Sequence, residues 1–238
     1  FRGRIYCTQA TYELCVIMLK DSAHIQEFEA EWRNRKAKRS GGAQIEPLYT
    51  MEDVQGVLNL FTPCIYGETV QVDDALKIRF VDAGHLLGSS SIELWVTEKE
   101  KEVKLVFSGD IGQGNKPLIK SPTFLEEADY VIMESTYGDR EHNLPVDYAT
   151  ELAEVIKRTF IRGGNLVIPA FSVGRTQEML YFLRRIKTEH LLPEFENFEV
   201  YIDSPLAIEA TNVFHKNVKE CFSEEALELV EKGINPIQ

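Results

Sequence analysis

No stretch of this 238-residue chain stays apolar for the ~20 residues that crossing a bilayer requires, which excludes a membrane-spanning reading. Cysteine is sparse. Cys7, Cys15, Cys64 and Cys221 are the four in the chain, and none sits in a Cys-x-x-Cys pair, so neither a zinc finger nor a thioredoxin-type motif is supported. Scattered buried thiols in a reducing, cytoplasmic protein are the expectation, ahead of disulfides. Positive charge is also in deficit: 26 Lys and Arg against 38 Asp and Glu leave a net charge of −12. A chain of that sign repels phosphate backbones at long range and cannot be a basic nucleic-acid coat. A local positive groove or a bound metal would still let it act on nucleic acid, because a metal ion can be the largest charge in a site. There is no repeat, no low-complexity segment and no flexible linker. What is present, 44% hydrophobic and 27% charged residues, is the composition of a folded chain large enough for one large domain or two smaller ones. The first residue is Phe1, the opening lacks the order of a signal peptide, and the last residues trail off after a helical pattern. Both ends read as cuts inside a longer chain.

Hydrophobic periodicity gives an alternating α/β order. Leu14, Ile17 and Met18 mark a helix over 11–19, and a second helix is expected over about 22–38, stopped by Gly41-Gly42. Its tail holds the densest basic cluster, Arg33, Arg35, Lys36, Lys38 and Arg39. That cluster reads as a solvated helix end complementing the helix dipole, with an RNA-contacting patch as the alternative. A short helix is expected over 51–60. Strands follow through Leu76, Ile78 and Phe80, through Ile92, Leu94 and Val96, through Val103, Leu105 and Phe107, and from Tyr130 to Glu134, with a charged hairpin over 98–102. Beyond Asp139 helices are expected around Leu152–Phe160, over 176–186 and over about 206–218, alternating with strands at 166–170 and 199–202. That alternation implies a parallel sheet with helices packed on it, and a domain boundary near Asp139.

His85, Asp110 and Glu134 each fall just past an apolar strand and beside glycine or turn residues. Strand ends of a layered α/β core converge on one rim, so three strands deliver an imidazole and two carboxylates to a common edge. Those are donors suited to zinc or manganese. A metal-bound water can have a pKa near ~7 and supply hydroxide at neutral pH. Taken singly, each residue is better explained by a loop, turn or capping role; taken together they describe a site.

The string Ala83-Gly84-His85-Leu86-Leu87-Gly88-Ser89 resembles the third metal motif of the metallo-β-lactamase superfamily, and Ser108-Gly109-Asp110 its fourth. Glu134-Ser135-Thr136-Tyr137-Gly138-Asp139-Arg140 resembles the acidic motif of the β-CASP branch, the nucleic-acid-processing nucleases. The stretches 168–178 and 203–207 resemble further β-CASP signatures, and residues 3–11 resemble the segment downstream of the family's first metal motif. The resemblance implies a partial four-layer αββα sandwich over 1–139 with a partial, inserted parallel α/β β-CASP domain over 140–238. It implies His85 on one metal, Asp110 bridging a pair of zinc ions (manganese being the other candidate), and Glu134 orienting a catalytic His and helping to move a proton. It implies hydrolysis of RNA phosphodiesters, single-stranded RNA foremost, with endo- and exonuclease action undistinguished and self-association left open. Arg175 at a helix start is a phosphate-binding candidate, with a structural ion pair as its alternative, and Ser172 and Ser204 are candidate hydroxyls for phosphate, with turn chemistry as the commoner alternative.

The chain departs from the family in three places. The first motif, His-x-His-x-Asp-His, and the two late His motifs are absent, and His142, His190 and His215 do not sit in their contexts. His190 reads as a surface residue and His142 as an outside candidate. His85 and Asp110 are two ligands where a catalytic zinc takes three, so this polypeptide by itself is expected to bind metal weakly and to be catalytically impaired, and an uncovered sheet face is expected to make it association-prone. The readings left open beside the nuclease are a hydrolase of small esters or thioesters and a non-catalytic RNA-binding scaffold.

Overall fold

The computed structural model describes residues 2–114, 116–140 and 147–237. Chain order begins with strand β1 (Ile5–Thr8), which runs directly into helix α1 (Gln9–Ser40). The Thr8 hydroxyl caps the helix by accepting the Thr11 N–H at 3.2 Å, and Gly41 ends it at φ 73°. The two helices expected over 11–19 and 22–38 are thus one helix of 32 residues, about 48 Å long. Nothing between them breaks it: Lys20-Asp21-Ser22 holds neither Gly nor Pro, and beyond the junction Ala23 and Ala30, two turns apart, keep one face buried. Helix α2 (Met51–Leu58) follows, started by a reciprocal capping box between Thr50 and Asp53. Strand β2 (Phe61–Cys64) then pairs parallel with β1. Both strands escaped the sequence reading because each is only four residues long, and Pro63 sits inside the second.

The main sheet contains β3 (Thr69–Asp73), β4 (Leu76–Asp82), β5 (Ser90–Glu98), β6 (Lys101–Phe107) and β7 (Tyr130–Ile132), in that spatial order. Strands β3 to β6 form an antiparallel meander, and β7 pairs parallel with β6. Strands β4, β6 and β7 therefore run the same way and end on one rim. One sheet face buries Ile78 and Phe80 with Cys64, packed by Tyr6, Tyr66, Val70, Val72, Ile92 and Leu94. The other carries a charged cluster in register. Glu93, fully buried, is opposite Arg79 on β4 and ion-paired to it. Lys104 Nζ lies 2.6 Å from the other Glu93 oxygen, an ion pair without hydrogen-bond alignment. Burial pushes the Glu93 carboxyl up, but the Arg79 hydrogen bond and the charges of Arg79 and Lys104 outweigh it and hold the group below the usual glutamate range.

The second half is helical: α3 (Tyr148–Ile161), α4 (Arg175–Thr188), α5 (Pro205–Lys216), α6 (Val218–Cys221) and α7 (Glu224–Glu231). Tyr181, Phe214, Phe222, Ile156 and Ile186 form its core together with Leu118, Leu87 and Ala10 from the first half. Residues on both sides of Asp139 thus share one hydrophobic cluster. The strands expected at 166–170 and 199–202 are not found: both segments lack regular secondary structure, and among the described residues they form no ladder. Their apolar side chains are exposed, Val167 by 85% and Tyr201 by 80%. A strand needs a neighbour to take its N–H and C=O groups, and among the described residues neither segment is paired with one. The result is a mixed α/β fold in keeping with a partial sandwich, its helical half present without the expected sheet. All four thiols are free; burial pushes those of Cys7 and Cys221 up to about 12, which keeps them unreactive.

Candidate active site at the sheet rim

Three loops leave the common rim, and backbone contacts lock them together. The first follows β4. The Asp82 carboxylate accepts the Gly84 N–H at 2.8 Å, and the Ser89 hydroxyl accepts the N–H groups of His85 and Leu86 at 3.0 and 3.1 Å. Asp and Ser at these offsets make their own turn, so the loop is closed before anything packs on it. Burial raises the Asp82 carboxyl above its usual range despite that N–H and the charge of Lys120. From outside, the Thr8 and Thr11 hydroxyls each donate to the Gly88 carbonyl at 2.8 Å, and Lys116 Nζ donates to the His85 carbonyl at 2.8 Å. Gly88, at φ 81°, lets the start of α1 approach: a Cβ there would lie 2.6 Å from the Thr11 nitrogen.

The second loop follows β6 and carries Asp110. Its Gly112 N–H donates to the Ala83 carbonyl at 2.7 Å, and a Cβ at Gly112 would lie 1.7 Å from the Gly84 oxygen. Only glycine allows the two loops to meet this closely. The third follows β7. The Glu134 N–H donates to the Ser108 hydroxyl at 3.0 Å, and the Glu134 carboxylate accepts the Ile111 N–H at 2.5 Å. That bond, with a contact to the Thr136 hydroxyl and the nearby His85, holds the Glu134 carboxyl below its usual range.

His85 Nε2 lies 4.0 Å from Asp110 Oδ2, and both side chains are open to solvent. The three rim residues expected from the sequence are therefore brought together, with Glu134 bonded to the residue after Asp110. Imidazole and carboxylate at this separation suit a divalent ion in donor chemistry. They fall one short of the three protein ligands of a catalytic zinc. Among the described residues no cluster of three or more His, Cys, Asp and Glu side chains is placed to hold a metal. The pair fits one side of a metal centre, not a whole one. His142 lies outside the described residues. His190 is a surface residue paired with Glu196 at 3.2 Å, and His215 bonds Asn235.

The start of α4 faces the same loop. Gly174, Glu178, His85, Leu86 and Phe214 line a crevice of about 10 Å³, room for a single water and no substrate. Arg175 forms the ion pair that was its alternative reading, 2.9 Å to Glu178, while its side chain stays exposed. Ser204 caps α5 by accepting the Ala207 N–H at 3.1 Å, and the Ser172 carbonyl accepts from Gln177. Among the described residues no hydrogen bond joins either serine to His85, Asp110 or Glu134.

Sequence reasoning missed two supporting residues. Lys116, half-buried, has its ammonium disfavoured by burial, an effect that the charge of Glu178 opposes and that of Arg175 reinforces. Gln177, fully buried, clamps the loop before α4 by accepting the Gly174 N–H and donating to Ser172 and Thr211. Their partners are largely backbone carbonyls and distant residues, which leave no spacing to read.

A family model described as the Beta-Casp domain matches residues 176–237. The chain is 33% identical over 238 residues to a protein named Ribonuclease TTHA0252 from Thermus thermophilus, covering all of this chain and 48% of that one. It is 30% identical over 236 residues to an RNase J-like protein from Methanocaldococcus jannaschii, covering 98% of this chain and 49% of the relative. It is 30% identical over 240 residues to transcription termination factor FttA of the same organism, covering 99% of this chain and 34% of that one. The chain thus spans half or less of the length of these relatives. With the glycine-locked rim, the acidic loop after β7 and the match across α4 to α7, the chain belongs to the β-CASP branch of the metallo-β-lactamase superfamily.

Proposed function

We propose that this chain carries one side of the catalytic centre of a ribonuclease. Family membership implies dependence on a divalent metal; zinc is the ion the His and Asp donors favour, with manganese second. The observation that carries the reading is the convergence of His85, Asp110 and Glu134 on the rim where β4, β6 and β7 end. When bound, the metal supplies a hydroxide nucleophile and neutralises charge on the phosphate. His85 and Asp110 would hold it. Glu134, fixed by the Ile111 N–H and kept ionised, would orient a histidine and accept a proton.

Arg175 at the start of α4 would meet a phosphate by exchanging Glu178 for it, and the Ser172 and Ser204 hydroxyls would donate to the same strand. The boundary near Asp139 would separate the metal-binding part from the phosphate-binding part. A cytoplasmic setting is supported by four free thiols; among the described residues no helix is long and apolar enough to cross a membrane.

The test is Asp110→Ala in a protein whose wild type cleaves single-stranded RNA. Cleavage should fall at least ~100-fold with RNA affinity within about twofold. Undiminished cleavage, or turnover of thioesters in preference to RNA, contradicts the proposal.

A further inference from the structure

We propose that the far end of α1 is a second docking site for single-stranded RNA, remote from the rim; this rests on the ribonuclease reading above. Arg33, Arg35, Lys36, Lys38 and Arg39 place five cations within seven positions, uninterrupted by any acid, in a chain of net charge −12. The helix dipole accounts for part of this. Its field is confined to the last turn, which holds Lys38 and Arg39; the other three lie upstream. Arg33 reaches Glu29 at 3.4 Å between exposed side chains, a pair of little strength.

The aromatic side chains point to a ligand. Phe28 and Trp32, one turn apart on one face, are 56% and 47% exposed, and Lys36 Nζ sits 3.6 Å from the Trp32 ring centroid. A solvated helix end needs cations but has no use for exposed rings beside them. Single-stranded nucleic acid uses both, stacking bases on aromatic faces while its phosphates take the cations. A phosphate on Lys36 and a base on Trp32 would belong to the same or adjacent nucleotides. The platform is tied to the segment after it: the Asn34 side chain makes two 2.8 Å bonds to the Ile45 backbone, Glu27 accepts the Met51 N–H at 3.0 Å, and Gly41 closes the helix.

The two ends of α1 have different tasks. Its start is tied to the Gly88 carbonyl in the His85 loop, and Trp32 lies about 35 Å further along the axis. An RNA must be long to touch both places. Met18 and Ile25 continue the exposed stripe toward the helix start, which a second copy of the chain could cover; the clustering of cations around the aromatic end favours RNA.

The test reads Trp32 emission as the difference between the native protein and Trp32→Phe, leaving Trp95, the other tryptophan, in place. A 20-nucleotide oligouridine should quench it. Trp32→Ala and Phe28→Ala should each weaken that RNA about tenfold, and Arg35→Glu with Lys38→Glu should make the slope of log K against log salt shallower by about 1.4. Cleavage of a 6-nucleotide RNA, too short to reach from Trp32 to the rim, should be unchanged by all of them in a protein whose wild type is active. Silent Trp32 emission at saturating long RNA overturns the site while leaving the ribonuclease reading intact; failure to bind any RNA overturns both. A dimer that Phe28→Ser dissolves and long RNA does not displace assigns the stripe to a second copy and also overturns the proposal.

Discussion

At the residue scale the rim depends on atoms that are missing as much as on those present. Gly112 has no room for a methyl group against the Gly84 carbonyl. Gly112→Ala should force the Asp110 loop off the His85 loop, costing roughly 2 kcal/mol or more, and urea denaturation of the two proteins measures it. A cost within 0.5 kcal/mol would mean the loops meet elsewhere. Glu93 is the other residue on which much rests. Because its folded pKa is depressed, its contribution is present above the ordinary glutamate range and is lost as pH falls through the lower folded value. Glu93→Gln should therefore lower stability at neutral pH, by roughly 2 kcal/mol given that Arg79 and Lys104 keep partial contact with water, and should flatten the acid limb of the stability–pH curve. Equal acid limbs would refute that role. His85, Asp110 and Glu134 were legible from their place after apolar strands. Lys116 was not, because what it grips is a backbone carbonyl 31 residues away.

Among the elements, those with two-fold or 3.6-fold apolar periodicity were legible, β4 to β7 and α3 to α5. α1 was misread as two helices because its low amphipathicity hides a stripe of buried alanines behind charged neighbours. The segments 166–170 and 199–202 carry strand sequences without strand pairing, which shows how far β structure is a property of neighbours and not of a segment. Helix starts obey local chemistry. Ser204→Ala should cost about 1 kcal/mol by removing the α5 cap, read as a lowered melting temperature; no change would mean that Pro205 alone sets the helix start.

Over the whole molecule an apolar margin stays uncovered. Tyr130, Val131, Ile132 and Met133 along the β7 edge, with Val167, Phe171 and Tyr201 on the unpaired segments, are exposed. An open edge strand of this character invites pairing. The 238-residue chain should bind a hydrophobic dye and associate with rising concentration in sedimentation, and Val131→Lys should reduce both; a dye-silent monomer would contradict this. By the same donor count, calorimetry on this chain should detect no pair of tight zinc sites.

The central claim is that His85 and Asp110 serve one hydrolytic centre. RNA cleavage by His85→Ala, Asp110→Ala and the double variant, in a protein whose wild type is active, tests it most directly. Groups that act as a unit lose activity together, so each single change should cost at least ~100-fold and the double variant should be no worse than the poorer single one. Independent losses that multiply, or a single variant with undiminished cleavage, would contradict it.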